Sequence, residues 1–471
     1  MSYKILECLV CGFTYDEGKG LPREGIPAGT RWQDVPDDWK CPDCGVGKAD
    51  FEMVAISRIA VAIKEKVAEV AIESTPAIAA MSEVPEIDWN RKPVVIVGTG
   101  LAGYHLAREF RKQDRETPLI MLTSDDGRFY SKPMISTAFA KAKQPDQLAS
   151  STAADMAEEL QADIRIFSTV TEINSDLQRL KVDEDTIEYG KLVLASGAKC
   201  TEAPLTGDGL SQVYSVNDLL DYTRFRTSLV GKKKILIIGA GLIGSEYAND
   251  MVQSGFTIEV VEPMSTVLGT LLPEQASLAV QKSLEQAGVK YHFGTVVEKV
   301  DKSGNGIKAT LANGTVIEAD AVLSAIGVRP DLKLASLTKL DTNKGILTDR
   351  SLQTSAQNIY ALGDCAEVDG NLLFYVAPLM ESARVLSKVL SGQQGEVQYG
   401  VMPVMIKTTL CPVVVSPPPR GVEGEWHVKV DSCNVHARFI TPKGSLLGFA
   451  LTGDATREKD ALSAKTQPLM I

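Results

Sequence analysis

Four cysteines stand in two pairs, Cys8 with Cys11 and Cys41 with Cys44, and 29 residues separate the pairs. Four thiolates at C-x2-C…C-x2-C spacing are enough for a closed tetrahedral metal site, and an all-sulfur set suits zinc or iron alike. In a reducing compartment such pairs read as metal ligands rather than disulfides. Gly12 and Gly45 follow the second cysteine of each pair, where a backbone free to take positive φ can turn N–H groups toward sulfur. Phe13, Tyr15, Trp32, Trp39 and Phe51 surround them. Fifty residues build little core, so a metal would supply part of the folding energy.

A second kind of chemistry is written in glycine. The apolar run 94–97 leads into Gly98-Thr-Gly100-Leu-Ala-Gly103 and then a helical pattern. The device returns 141 residues later as Gly239-Ala-Gly241-Leu-Ile-Gly244. In G-x-G-x-x-G the first glycine makes the turn, the second admits a pyrophosphate, and the third lets helix pack on strand. The helix N-terminus then faces the phosphates. An acid at the end of the following strand takes ribose hydroxyls: Glu262 after 257–261, and Asp125 after 119–122. With no arginine next to Glu262, NADH is favoured over NADPH.

Two family resemblances follow from longer stretches. "CLVCGFTYDEGKG…GIPAGTRWQDVPDDWKCPDCGVGKADFE" resembles rubredoxin across residues 1–54, with Lys48 and Phe51 in place. That resemblance implies one iron held by Cys8, Cys11, Cys41 and Cys44, cycling between Fe3+ and Fe2+. Residues 91–400 resemble the FAD-dependent pyridine nucleotide oxidoreductases, with "LVLASGA" and "YALGDCAEV" at the places of further FAD contacts. "YSKP" (130–133) narrows this to the branch of ferredoxin, putidaredoxin and rubredoxin reductases. The resemblance implies that Asp364 binds FAD. It places Lys132 beside the flavin ring, paired with Glu246 of "GSEYA", and both are read as catalytic. It also points the helix that begins near Pro378 at the flavin's pyrimidine edge, where its positive end favours reduced flavin. The disulfide reductases of the wider family carry a C-x4-C pair where "FYSKPMISTAFAK" has no cysteine. Reduced flavin must then pass its electrons directly to an acceptor.

These residues need a scaffold of several parts. The expected fold is α/β: glutathione-reductase-like FAD and NAD Rossmann-type domains, a small C-terminal α+β domain, and a metal-stapled rubredoxin module in front. The expected divisions are 1–54 for the module, 55–90 for a linker, 91–208 with 328–400 for FAD, 209–327 for NAD, and 401–471 for an interface domain. Ile59, Ile63, Val67 and Val70 fall on one helical face, so the linker begins as an amphipathic helix. Strand-like stretches after 401 broken by Pro and Gly predict a β-rich tail.

At 471 residues and net charge −11, the chain is a poor fit to nucleic acid. No apolar run reaches the length of a membrane span, and the first residues lack a signal peptide's apolar core. A cytoplasmic protein that does not span the membrane is expected. Cys365, His105, His292, His427 and His436 show no ligand or nucleophile spacing and read as structural or surface residues. Lys232, Lys233 and Lys234 offer a solvated face on which the module, of charge −4 over residues 1–54 (six Lys and Arg, ten Asp and Glu), could dock.

The implied function is electron transfer from NADH through FAD to the rubredoxin iron. The implied destination is a membrane-bound alkane monooxygenase or another rubredoxin-dependent enzyme. Electron supply for oxygen or peroxide detoxification through a diiron or flavodiiron partner is the alternative. A zinc-holding docking module on a reductase for another acceptor is an alternative of a different class.

Overall fold

The structure, a computed structural model, describes residues 3–8, 13–39, 41–42, 48, 54–56 and 87–470. Cys11, Cys44, Gly12, Gly45, Phe51 and the expected linker helix lie outside the described residues.

The N-terminal segment is built on three short antiparallel strands, β1 (Ile5–Glu7), β2 (Thr14–Asp16) and β3 (Val54–Ile56), in the order β2-β1-β3. Its core is Leu6, Tyr15, Ile26, Val35 and Trp39, joined by Cys8 and Cys41. Trp32 meets Trp39 edge-on at 5.2 Å and Tyr15 at 5.5 Å. Glu17, 3% exposed, is held charged by Arg31 at 2.8 Å and by the amides of Lys4 and Trp32.

The body begins with β4 (Val94–Val97), α1 (Leu101–Gln113), β5 (Leu119–Leu122), β6 (Asp163–Arg165) and β7 (Lys191–Leu194). Strands β4 and β5 are apolar at every position, as strands covered on both faces must be. The chain then leaves this sheet for a second parallel one. It comprises β8 (Val213–Tyr214), β9 (Lys234–Ile238), β10 (Thr257–Glu262), β11 (Lys290–Phe293) and β12 (Ala321–Ser324), in the order β8-β12-β9-β10-β11. Helix α2 (Leu242–Gln253) follows β9 as α1 follows β4. Strand β13 (Ile359–Ala361) returns to the first sheet beside β7, completing the order β13-β7-β4-β5-β6. Helix α3 (Val376–Leu390) packs along α1.

The tail forms a five-stranded antiparallel sheet of β14 (Val404–Ile406), β15 (Val413–Ser416), β16 (Glu425–Asp431), β17 (Asn434–Ile440) and β18 (Leu446–Thr452), in the order β14-β15-β18-β17-β16. Strand alternation divides its side chains between two cores. Val413 and Val415 join the core of the second parallel sheet, while Val414 packs with Phe449, Leu451 and Leu462 on the opposite face. No described helix is long and apolar enough to cross a membrane.

Candidate functional site

Both glycine motifs sit at the carboxyl ends of parallel strands, between β4 and α1 and between β9 and α2. The two turns are built alike. Gly98 takes φ +119° and Gly239 φ +99°, a region that favours glycine. Their amides donate to Leu122 O and Val261 O, each at 2.8 Å. A Cβ on Gly103 would lie 1.9 Å from Gly98 O, and one on Gly244 2.0 Å from Gly239 O, so helix and turn touch backbone to backbone. A Cβ on Gly100 or Gly241 would meet nothing within 4 Å. Neither helix has a side-chain cap at its N-terminus, leaving amide donors turned to open space. Two diphosphates fit this arrangement.

The acids behave differently. Glu262, 8% exposed, accepts from Ala240 N at 2.6 Å and Met264 N at 3.0 Å, which fixes it against the second glycine turn. Asp125 is half-buried, and its Oδ1 accepts from Thr123 Oγ1 at 2.6 Å and Gly127 N at 3.0 Å. That leaves Oδ2 for a ribose.

Near the first turn three elements converge. A Cβ on Gly363 would lie 2.9 Å from Ala102 Cβ and 3.8 Å from Leu379 Cδ1. Asp364 therefore stands between the start of α1 and the start of α3, where Pro378 is the third helical residue. Burial pushes the Asp364 carboxyl up, and the Lys132 ammonium opposes the shift. Cys365 is fully buried, its thiol raised by burial and its Sγ bonded to Leu362 O at 3.3 Å, which makes it a packing residue.

The expected Lys132–Glu246 pair does not form. Lys132 Nζ donates to Asn217 Oδ1 at 2.9 Å, while Asn217 Nδ2 donates to Ala198 O. Glu246, 2% exposed, accepts at Oε2 from Ser136 Oγ at 2.5 Å, and at Oε1 from both the backbone N and the Nζ of Lys407, at 2.9 and 2.8 Å. The physical reason is proximity: Lys407 follows β14 directly, and the segment 407–410 is hydrogen-bonded to α2 through Glu246 and Asn249. Glu246, Asn249 and Asp250 share one face of α2. Asn249 takes Leu410 N at 3.0 Å, and Asp250 takes the amides of Phe139 and Ala140 at 2.8 and 3.1 Å. One helix thus clamps the Lys132-bearing segment to the C-terminal sheet. Sequence reasoning missed Asn217, Ser136, Asp250 and Lys407. Asn217 alone left a trace, since Asn217-Asp218 precedes a helical run.

Cys8 and Cys41 are 1% and 2% exposed in the aromatic core. The described half of the cysteine set fits a dry sulfur-ligated metal. Among the described residues no cluster of three or more His, Cys, Asp or Glu could hold one. One residue of the body, Met405 of β14, packs into that core. Among the described residues no ion pair joins Lys232, Lys233 or Lys234 to the N-terminal segment; the backbone amides of Lys233 and Lys234 bind Asp320, and Lys232 Nζ lies 3.3 Å from Gln212.

Residues 92–387 match the family described as pyridine nucleotide-disulphide oxidoreductase, residues 396–466 the rubredoxin binding C-terminal domain, and residues 5–51 rubredoxin. The chain is 52% identical over 379 residues to a "Rubredoxin-NAD(+) reductase" of Alcanivorax borkumensis, covering 80% of this chain and 99% of the relative. About a fifth of this chain thus has no counterpart there. It is 33% identical over 365 residues to a "Nitric oxide reductase FlRd-NAD(+) reductase" of Aliivibrio fischeri, covering 78% of this chain and 96% of the relative. The fold matches the covalent putidaredoxin reductase–putidaredoxin complex at a TM-score of 0.72 and 22% identity, covering 79% of this chain and 93% of that one. Such membership implies FAD and NAD(H), and the rubredoxin segment implies iron. The chain belongs to the pyridine nucleotide-disulphide oxidoreductase family, in its rubredoxin-NAD(+) reductase branch, and carries a rubredoxin segment of its own.

Proposed function

We propose that the chain, in the cytoplasm, moves electrons from NADH to the iron of its own N-terminal segment and from there to a partner oxygenase. In this reading residues 91–208 and 328–400 bind FAD, 209–327 bind NADH, 401–471 form the interface domain, and 55–90 link the module 1–54 to the body. Bound FAD supplies the conversion of a two-electron hydride into single electrons. The chain's residues bind and orient. Gly98, Gly100 and Gly103 with Asp125, Asp364 and the α3 N-terminus hold one dinucleotide. Gly239, Gly241, Gly244 and Glu262 hold the other. Lys132 sets a positive charge beside Asp364.

The observation that carries the reading is Met405. It lies within the segment that matches a rubredoxin binding domain, and it packs into the core that contains Cys8 and Cys41. A docking surface and two of the four proposed iron ligands therefore share one apolar cluster. Iron in native protein supports a redox module. Zinc at one atom per chain would instead favour a docking module on a reductase for another acceptor.

A membrane-bound alkane monooxygenase is the proposed destination, supported by family association. Deletion should abolish growth on n-alkanes; unimpaired growth would refute this partner. The likeness to a nitric oxide reductase's partner reductase favours a second reading, electron supply for reductive detoxification. Sensitivity of the deletion strain to nitric oxide or peroxide, with normal alkane growth, would select it.

A further inference from the structure

Two lysines and one carboxylate decide how charge is distributed at the centre of the molecule. Glu246 is buried and hydrogen-bonded by three donors, one of them the Lys407 ammonium. Lys132 is bonded instead to the neutral amide of Asn217. A lysine paired with a carboxylate presents little net charge to its surroundings. A lysine held by an amide presents the whole of it. Asp364 also senses Lys132, and burial raises its carboxyl toward the neutral form. Asp218 and Asp221, on the neighbouring helix, face Cys200 with Lys132.

We propose that Lys407 is a positioning residue that neutralises Glu246 and so leaves the Lys132 charge undivided for the flavin site. This rests on the reading that FAD binds beside Lys132. The segment that bears Lys132 is tied to Glu246 through Ser136, four residues on, so the carboxylate is already at hand. Without the Lys407 ammonium a buried carboxylate keeps only neutral donors, a costly state that a turn toward Lys132 relieves. The pair would then cancel, and the site would lose its cation where reduced flavin gathers negative charge. Lys407 also follows β14, the strand whose Met405 packs against the rubredoxin core, so the charge arrangement is fixed by the domain that docks the module.

The test uses the full chain with its flavin, and reads the ratio of reduced to oxidised flavin in anaerobic equilibrium with a fixed NADH/NAD+ mixture. Lys407→Met should lower that ratio about tenfold, equivalent to about 30 mV for a two-electron couple. Lys407→Gln keeps a hydrogen-bond donor for Glu246 and should lower it as much, which a purely structural role would not predict. Lys407→Arg should leave it near wild type. The double variant Lys407→Met/Glu246→Gln should restore it, because no carboxylate remains to divide the Lys132 charge. A ratio unchanged in Lys407→Met and Lys407→Gln, or a double variant as low as the single one, overturns the proposal. A wild-type chain lacking a flavin band overturns the parent reading and this one together, and the wild-type spectrum separates that failure from the others.

Discussion

His105 lies on α1, 3% exposed, with its Nε2 unpartnered and 3.8 Å from Glu109 Oε1, too far for a hydrogen bond. Burial, helped by Lys112, Arg384 and Arg108, pushes its pKa down to about 3. The unfolded chain takes up this proton near pH 6.5, so the contribution is whole above that pH and is lost as pH falls toward 3. Wild type should therefore lose about 2 kcal/mol more than His105→Gln between pH 7 and pH 5 in urea unfolding. Equal losses would show that the histidine is protonated in place. Lys132→Met should slow flavin reduction by NADH at least tenfold while FAD remains bound. An unchanged rate would remove Lys132 from the site's chemistry. At this scale the sequence shows residue types and hides partners. Glu246 and Lys407 are 161 positions apart, and no local pattern tells which of two lysines takes the acid. Only the docking of the segment after β14 on α2 decides it.

Elements were more legible, because their causes are local. A buried parallel strand, a glycine turn and an amphipathic helix are each specified within about twenty residues, and β4–α1 and β9–α2 both follow from such runs. The two turns also separate structural from binding glycines. Gly244→Ala drives a Cβ into Gly239 O and should cost roughly 1–3 kcal/mol and lower the Tm without any nucleotide present. Gly241→Ala meets open space and should leave that Tm unchanged while weakening NAD+ binding. Calorimetry with and without NAD+ checks both, and an unaffected affinity in Gly241→Ala would deny that a phosphate approaches there. The tail was legible as strands but not as an arrangement, since order β14-β15-β18-β17-β16 is set by pairings that reach across as many as 39 residues. Its division between two cores depends on which neighbours cover each face.

At the scale of the molecule, one chain carries a reductase body and the module it is proposed to reduce. A tether replaces collision by an effective concentration that is often in the mM range. Reduction of the module should then be first order, with a rate constant independent of enzyme concentration in stopped flow. A rate that rises with enzyme concentration would mean that modules are served by other molecules. The contact at Met405 was not legible in sequence, which offered the lysines at 232–234 as a face on which an acidic module could dock. Surface charge is visible in a sequence; an apolar side chain that packs against another module's core is not. The central claim is that the opening cysteines hold an iron wired to the flavin within the molecule. The visible spectrum of the purified chain during anaerobic addition of NADH tests it most directly. The account predicts a flavin band and a thiolate-to-iron band, both bleaching. A flavin band that bleaches alone, with no iron band at any stage, would contradict it.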